Sequence, residues 1–280
     1  MNNSKSIFIT GAAGGMGRST AKLFLNKNWF VGCYDNNKEN LLELEGELGN
    51  ENIIYEVLDV TNKENFQECI NNFSSKSGGK LDILFNNAGI TQGGFFDEIP
   101  YETHMEIINI NIIGVINGIY SASNLLKNTS NSLCITTSSS SGIMGMEMIA
   151  SYSASKHAVK GLTESLSSEF QRFNSRAADI LPGVIDTPMI SEEIRENLPK
   201  DGIWRLISSD EIAKTVWNAY NSDKIHWYVP KELEDLEKAI KNILDSNLAV
   251  SSIGPIEPLE TADLIKRRLS KSCSCLSSKF

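Results

Sequence analysis

Ser6-Ile7-Phe8-Ile9-Thr10 runs directly into Gly11-Ala12-Ala13-Gly14-Gly15-Met16-Gly17, and that into Arg18-Ser19-Thr20-Ala21-Lys22-Leu23-Phe24-Leu25. The first stretch is a short apolar β run, and the last carries helical periodicity. Glycines by themselves also serve plain turns, so it is the order strand, glycine turn, helix that gives this motif its meaning. Gly11 permits the tight turn, Gly15 lets backbone approach a pyrophosphate, and Gly17 allows close helix–strand packing. The helix N-terminus adds unpaired N–H groups and the positive end of a dipole. The spacing is GxxxGxG rather than GxGxxG.

The alternation continues along the chain. Trp29 to Tyr34 reads as a second strand closed by Asp35. An acidic residue at this point, about 20 residues past the glycines, hydrogen-bonds a ribose 2′-hydroxyl and repels a 2′-phosphate. No Lys or Arg lies in the turn before Gly15, Asn36 and Asn37 follow Asp35, and Arg18 is the one basic residue close by. The reading is NAD rather than NADP, and Asp35 as N-cap of a helix from Lys38 to Leu48 is compatible with it. Asn52 to Leu58 is a third strand ending at Asp59-Val60, where Asp59 either reaches an adenine edge or caps the turn. Thr61 then opens a helix with Glu64 in the capping-box position. Leu81 to Phe85 leads into Asn86-Asn87-Ala88-Gly89, at the strand end where open α/β sheets place ligands. A helix from Thr103 to Leu126 carries Asn111 mid-length, a mediocre residue for a helix interior.

Leu133 to Thr137 is a fifth strand ending in four serines, Ser138 to Ser141. A helix from Tyr152 to Phe170 follows, then a strand from Ala177 to Leu181, the stretch Pro182-Gly183-Val184-Ile185-Asp186-Thr187, and a seventh strand from Ile225 to Val229. Strands alternating with helices throughout predict one α/β domain of Rossmann type, doubly wound. Its sheet is seven-stranded, mainly parallel and flanked by helices.

Composition bounds the function. The 280 residues carry a formal charge of −9 and a pI near 5.0, which argues against a nucleic-acid surface. At 41% hydrophobic and 22% charged, the composition is ordinary for a globular protein. No apolar run is expected to reach the roughly 20 residues of a membrane span. The first strand starts too near Met1 to leave room for a signal peptide. Cys33, Cys69, Cys134, Cys273 and Cys275 lack CxxC spacing, which suits free thiols in a reducing cytoplasm better than disulfides or a zinc site.

Chemistry concentrates at Ser151-Tyr152-Ser153-Ala154-Ser155-Lys156, with Ser139 thirteen residues before the tyrosine. Residues four apart share one helix face, so Tyr152 and Lys156 present a phenol beside an ammonium. A cation there favours the phenolate and lowers a pKa that is ordinarily near ~10, towards the acid–base range. Ser139 places a hydroxyl beside the same reacting oxygen. Taken alone, YxxxK also fits an ordinary surface pair.

The chain resembles the classical short-chain dehydrogenases/reductases over roughly residues 5 to 230. The matching blocks are Thr10 to Gly17, Asp59, Asn86-Asn87-Ala88-Gly89, Asn111, Ser139, Tyr152 with Lys156, and Pro182-Gly183 through Thr187. The resemblance implies Tyr152 as catalytic acid/base and Ser139 as the group that holds and polarises the substrate oxygen. It implies that Lys156 bonds the nicotinamide ribose and lowers the tyrosine pKa, while Asn111 holds a relay water. It further implies cofactor contacts at Gly11, Gly15, Met16, Gly17, Asp35, Asp59, Val60, Asn87, Ala88, Gly89, Tyr152, Lys156, Pro182, Gly183, Val184 and Thr187, with no metal. The expected activity is an NAD(H)-dependent interconversion of secondary alcohol and ketone. The alternatives are an NADP(H)-dependent carbonyl reductase, a dehydratase or epimerase, and a silent dinucleotide-binding regulator. The intact Ser139, Tyr152 and Lys156 argue against the last two.

Two regions depart from the family pattern. In place of a glycine-rich final strand stands His226-Trp227-Tyr228-Val229-Pro230, followed by a helix from Lys231 to Ser246. A homodimer or homotetramer is expected all the same. Residues 251–280 read as a polar tail beyond a catalytic domain of residues 1–250. The tail is either a loose extension, the favoured reading, or, through Lys266-Arg267-Arg268, Cys273 and Cys275, a membrane-touching segment. Ile143 to Ile149 and a lid at 187–207, with Met189, Ile194, Leu198, Ile203 and Trp204, give apolar walls that suit a hydrophobic substrate. Core packing explains some of those methionines equally well.

Overall fold

All five residues of the first strand, β1 (Ser6–Thr10), are buried, as a strand covered on both faces requires. Its side chains divide by parity: Ile7 and Ile9 enter one apolar core, Phe8 the other. The computed structural model describes residues 4–251. After β1 come α1 (Gly15–Asn26), β2 (Phe30–Asp35), α2 (Lys38–Leu48), β3 (Ile53–Val57), α3 (Lys63–Ser77) and β4 (Ile83–Asn86). The middle of the chain forms α4 (Tyr101–Ile108), a π-helical turn (Asn109–Ile113), α5 (Gly114–Asn128), β5 (Leu133–Thr137), α6 (Ala150–Glu169) and β6 (Arg176–Pro182). The chain then forms β7 (Ile185–Asp186), α7 (Glu192–Asn197), β8 (Ile207–Ser208), α8 (Ser209–Tyr220), β9 (His226–Val229) and α9 (Leu233–Ser251).

Seven strands make one sheet in the order β3-β2-β1-β4-β5-β6-β9, with every pairing parallel. This is the expected doubly wound Rossmann-type architecture. One core packs α1, α2 and α8 on the sheet through Phe24, Leu44, Ile212 and Val216. The other packs α3 and α5 through Phe66, Phe73, Ala122 and Leu126. Strands β7 and β8 pair separately and clip together the two ends of the segment that holds α7.

Local chemistry differs from the sequence reading at three places. The N-cap of α3 is Asn62, whose side chain accepts from Asn65 N at 2.9 Å, rather than Thr61. Thr61 is taken by Asp59, whose Oδ1 accepts from its backbone N–H at 2.9 Å and its hydroxyl at 2.7 Å. Asn37 likewise caps α2, accepting from Asn40 N at 2.9 Å, which frees Asp35 of that duty. The third difference is the helix through Asn111. Tyr101–Asn128 runs for 28 residues and is long and apolar enough to cross a membrane by length and composition, contrary to expectation. Its apolar content has a local cause, since Ile107, Val115, Ala122 and Leu126 are buried in this fold.

The C-terminal helix α9 begins two residues later than expected and extends to Ser251. Leu233 packs with Ile143 and Leu181. Glu237, 4% exposed, accepts from Lys160 at 2.5 Å, Lys241 at 2.8 Å and the Tyr228 hydroxyl at 2.6 Å, tying α9 to α6 and β9. Cys33, Cys69 and Cys134 are buried free thiols. The expected tail, with Cys273 and Cys275, lies outside the described residues but for Ser251.

Candidate active site

A cavity of about 280 Å³ opens where β1, β2 and β4 end. Gly11, Gly15, Met16, Asp35, Asp59, Val60, Asn87, Ala88, Gly89 and Thr187 all line it. Gly17 does not. Its place is behind the turn, where a Cβ would sit 2.2 Å from the Gly11 carbonyl oxygen, so only glycine lets α1 approach β1 this closely. Gly11 has φ +62°, the left-handed turn its type was expected to supply. Neither a side-chain cap nor an acidic residue serves the first turn of α1, which leaves that helix end suited to an anion.

Asp35 closes the far side. Its two oxygens accept from Ala13 N at 3.1 Å and Asn37 N at 3.0 Å, so the carboxylate is pinned between the glycine turn and the end of β2. Arg18 pairs with Glu47 at 3.2 Å and Glu43 at 3.9 Å. Asn87 braces the turn, its Nδ2 donating to the carbonyls of Thr10 and Gly11, each at 3.2 Å, and its Oδ1 accepting from Thr137 at 3.2 Å.

Two supporting roles were not read from the sequence, that of Thr10, named there only as part of the glycine block, and that of Asn117. Thr10 Oγ1 accepts from the backbone N–H groups of Asn87 and Ala88, each at 3.0 Å. Asn117 Nδ2 donates to the carbonyls of Val60 at 2.9 Å and Thr61 at 3.2 Å, holding the Asp59 turn. Asn117 has the same signal as Asn111, a polar amide inside an apolar helix. Past the cavity, Arg195 in α7 bonds Asp186, the Thr187 carbonyl at 2.8 Å and the Ile190 carbonyl at 3.1 Å, fixing the start of the 187–207 segment.

Ser139, Tyr152, Lys156 and Asn111 converge beside this cavity. A Cβ built on Gly89, one of its walls, would lie 3.2 Å from Asn111 Oδ1 and 3.4 Å from Lys156 Nζ. Lys156 is buried and donates to the Thr137 carbonyl at 2.8 Å, and burial draws its ammonium down to about 8. Burial pushes the Tyr152 phenol up, while its hydrogen bond with Ser139 acts in the opposite direction. Lys156 gives its hydrogen bond to the Thr137 carbonyl and keeps its ammonium 5.4 Å from the centre of the Tyr152 ring. Asn111 sits in the π turn and is fully engaged. Its Nδ2 donates to Ile90 O at 2.9 Å and Ser155 Oγ at 3.0 Å, and its Oδ1 accepts from Ile90 N at 2.9 Å. Pro182, Gly183 and Val184 do not line the cavity. They lie at the end of β6, where Gly183 N donates to the Val229 carbonyl at 2.7 Å.

The fold and the grouped side chains are those of a Rossmann-type α/β oxidoreductase. A family model described as short chain dehydrogenase matches residues 5–198, and the chain belongs to the short-chain dehydrogenase/reductase family, enzymes acting on CH–OH groups. It is 33% identical over 220 residues to a 3-oxoacyl-[acyl-carrier-protein] reductase of Thermotoga maritima, covering 76% of this chain and 88% of that one. It is 30% identical over 221 residues to a cyclohexanol dehydrogenase of an Acinetobacter strain, covering 76% and 86%. A diacetyl reductase of Staphylococcus epidermidis is 33% identical over 198 residues, covering 68% and 76%. Among solved structures, a 3-ketoacyl-(acyl-carrier-protein) reductase of Brucella melitensis complexed with NADH matches in fold with a TM-score of 0.72 and 24% identity. That match covers 80% of this chain and 96% of that one.

Proposed function

We propose that this protein is an NAD(H)-dependent oxidoreductase that interconverts a secondary alcohol and a ketone on an apolar substrate, with Tyr152 as acid/base. The observation that carries the reading is the shared wall at Gly89, where the cavity lined by the glycine turn and Asp35 meets Lys156 and Asn111.

The residues present fit a dinucleotide. Gly14, Gly15 and Met16 at the uncapped start of α1 would take its pyrophosphate, Asp35 the adenosine ribose, and Asp59 with Val60 the adenine side. Lys156 and Tyr152 would hold the nicotinamide ribose. Arg18 is occupied by Glu47 and Glu43, and Asp35 repels a 2′-phosphate, so NAD(H) is favoured over NADP(H). When bound, the nicotinamide accepts or supplies the hydride at C4.

In the oxidative direction, Tyr152 Oη takes the alcohol proton, and in reduction it returns that proton to the ketone oxygen. Ser139 Oγ donates to the same oxygen and fixes its distance from the phenol. Lys156 keeps a positive charge near the phenolate as it forms. Asn111 positions Ile90 and the start of α6, and its π turn shifts main-chain carbonyls out of the helical pattern, where one can receive a relay water. Met144, Met148 and Met189 supply adaptable apolar surface, with 187–207 as a lid over the substrate. The exposed stripe of Tyr101, Met105, Ile113, Ile116 and Tyr120 along α4, the π turn and α5 supports a homodimer or homotetramer.

The experiment is titration of one purified sample with NADH and NADPH, followed by assay of cyclic and aliphatic secondary alcohols and their ketones. Tighter NADH binding with turnover of apolar alcohols is the expected result. Turnover of small polyols or sugars alone would overturn the substrate class, and binding of neither cofactor would overturn the enzyme reading.

A further inference from the structure

His104 lies on α4, is 8% exposed and uses both ring nitrogens. Nδ1 is 2.8 Å from Ser151 Oγ, and Nε2 is 3.0 Å from the Phe96 carbonyl oxygen. A carbonyl only accepts, so Nε2 carries the proton and donates to it. In the neutral ring Nδ1 then accepts from the serine hydroxyl. The imidazole also stacks on the Phe96 ring, with centroids 4.5 Å apart at 27°.

These contacts join two pieces of the site that no secondary structure joins. Ser151 is in the first turn of α6 and immediately precedes Tyr152. Phe96 is in the loop after β4, whose first residue past Gly89, Ile90, lines the cavity. The loop is fastened at three points: Ile90 by Asn111, Gly94 by a 2.9 Å bond from its N–H to the Met148 carbonyl, and Phe96 by His104. Met148 accepts that bond from a left-handed conformation, φ +67°, which is costly for a residue with a side chain. Phe95 and Phe96, 50% and 63% exposed, ride on the fastened loop.

We infer that His104 is a positioning residue that locks the 91–99 loop against the first turn of α6, and so sets how firmly an apolar substrate is held beside Tyr152. The inference rests on the alcohol–ketone function proposed above. His104 touches no reacting atom, and its effect is carried by Phe96 and Ser151.

The test compares the unsubstituted protein with His104→Ala and His104→Gln, using NADH and an apolar cyclic ketone. Losing both hydrogen bonds and the stack is expected to raise the ketone KM about tenfold in His104→Ala, with kcat and the NADH Kd changed less than about threefold. Amide hydrogen exchange is expected to quicken in 91–99 and 143–149 while the sheet stays protected. His104→Gln keeps an N–H donor for the Phe96 carbonyl and is expected to recover most of the KM. An unchanged KM or unchanged exchange in 91–99 for His104→Ala would overturn the inference. So would a joint fall of kcat, NADH affinity and melting temperature that His104→Gln does not repair, because that marks general destabilisation. An unsubstituted protein that turns over no alcohol or ketone overturns the function reading, and the inference with it.

Discussion

Lys156 holds its ammonium 5.4 Å from the centre of the Tyr152 ring, and its hydrogen bond goes to the Thr137 carbonyl rather than to the phenol. The pair expected from the four-residue spacing therefore exists, with β5 as a third party that fixes the lysine. Fixing it requires burying it, and burial lowers the ammonium from its ordinary 10.5 to about 8.

That lowering makes Lys156 a stability cost at neutral pH. A lysine whose folded pKa lies below its unfolded one is penalised in full below about pH 8, and the penalty fades as pH rises toward 10.5. Lys156→Met is expected to unfold at higher urea than the unsubstituted protein at pH 7, by about 2 kcal/mol. The gap should narrow by pH 10, while turnover is lost. Equal stability at both pH values would contradict the burial argument.

Tyr152→Phe removes the hydroxyl proposed above as the acid/base and keeps the ring. Turnover should fall by about 10³-fold, within the range usual for a lost acid/base. The NADH Kd should stay within about twofold. Loss of cofactor binding in parallel would show a structural role for the hydroxyl instead.

Asp35→Asn keeps an oxygen to accept from the backbone of Ala13 or Asn37 and removes the charge that a 2′-phosphate would meet. NADH is expected to bind about tenfold more weakly and NADPH more tightly, narrowing the preference by more than one order of magnitude. Fluorescence titration with both dinucleotides reads this directly. An unaltered ratio would mean that Asp35 serves only the turn.

Glu237 governs how α9 is attached. Its burial alone would raise the carboxyl, but hydrogen bonds from Lys160, Lys241 and Tyr228 outweigh it and hold the group at about 2. A carboxylate depressed on folding stabilises above its ordinary 4.5, and that stability is lost as pH falls toward 2. Glu237→Gln should cost about 3 kcal/mol at pH 7, because it strands the buried Lys160. It should also flatten the acid limb of the stability profile between pH 5 and pH 2. Thermal melts across that range would show a limb of unchanged slope if the network were unimportant.

Much of the fold was legible because its signals are local. Apolar runs with glycine or asparagine punctuation marked all seven strands of the main sheet, and the order strand, glycine turn, helix held from Ser6 to Leu25. The candidate residues were legible because their spacing is stereotyped, and most of the expected cofactor contacts line one cavity. The capping of α3 was misread because Thr61 and Asn62 are both good caps, and only the turn at Asp59 decides which one is free.

The sequence by itself determined which residue types stand where along the chain: a phenol and an ammonium four residues apart on α6, a hydroxyl just past β5, and an aspartate at the end of β2. Tertiary structure alone decided what those groups meet, because their partners lie far away in the chain. Thr137 takes the Lys156 ammonium, Glu47 takes Arg18, and Ile90 and Ser155 take the Asn111 amide. Ser151 and Phe96 engage His104, a residue with no sequence signature at all. Periodicity and spacing report a residue's own element. A buried polar group must find a partner wherever packing brings one, and that choice is made only when the elements assemble.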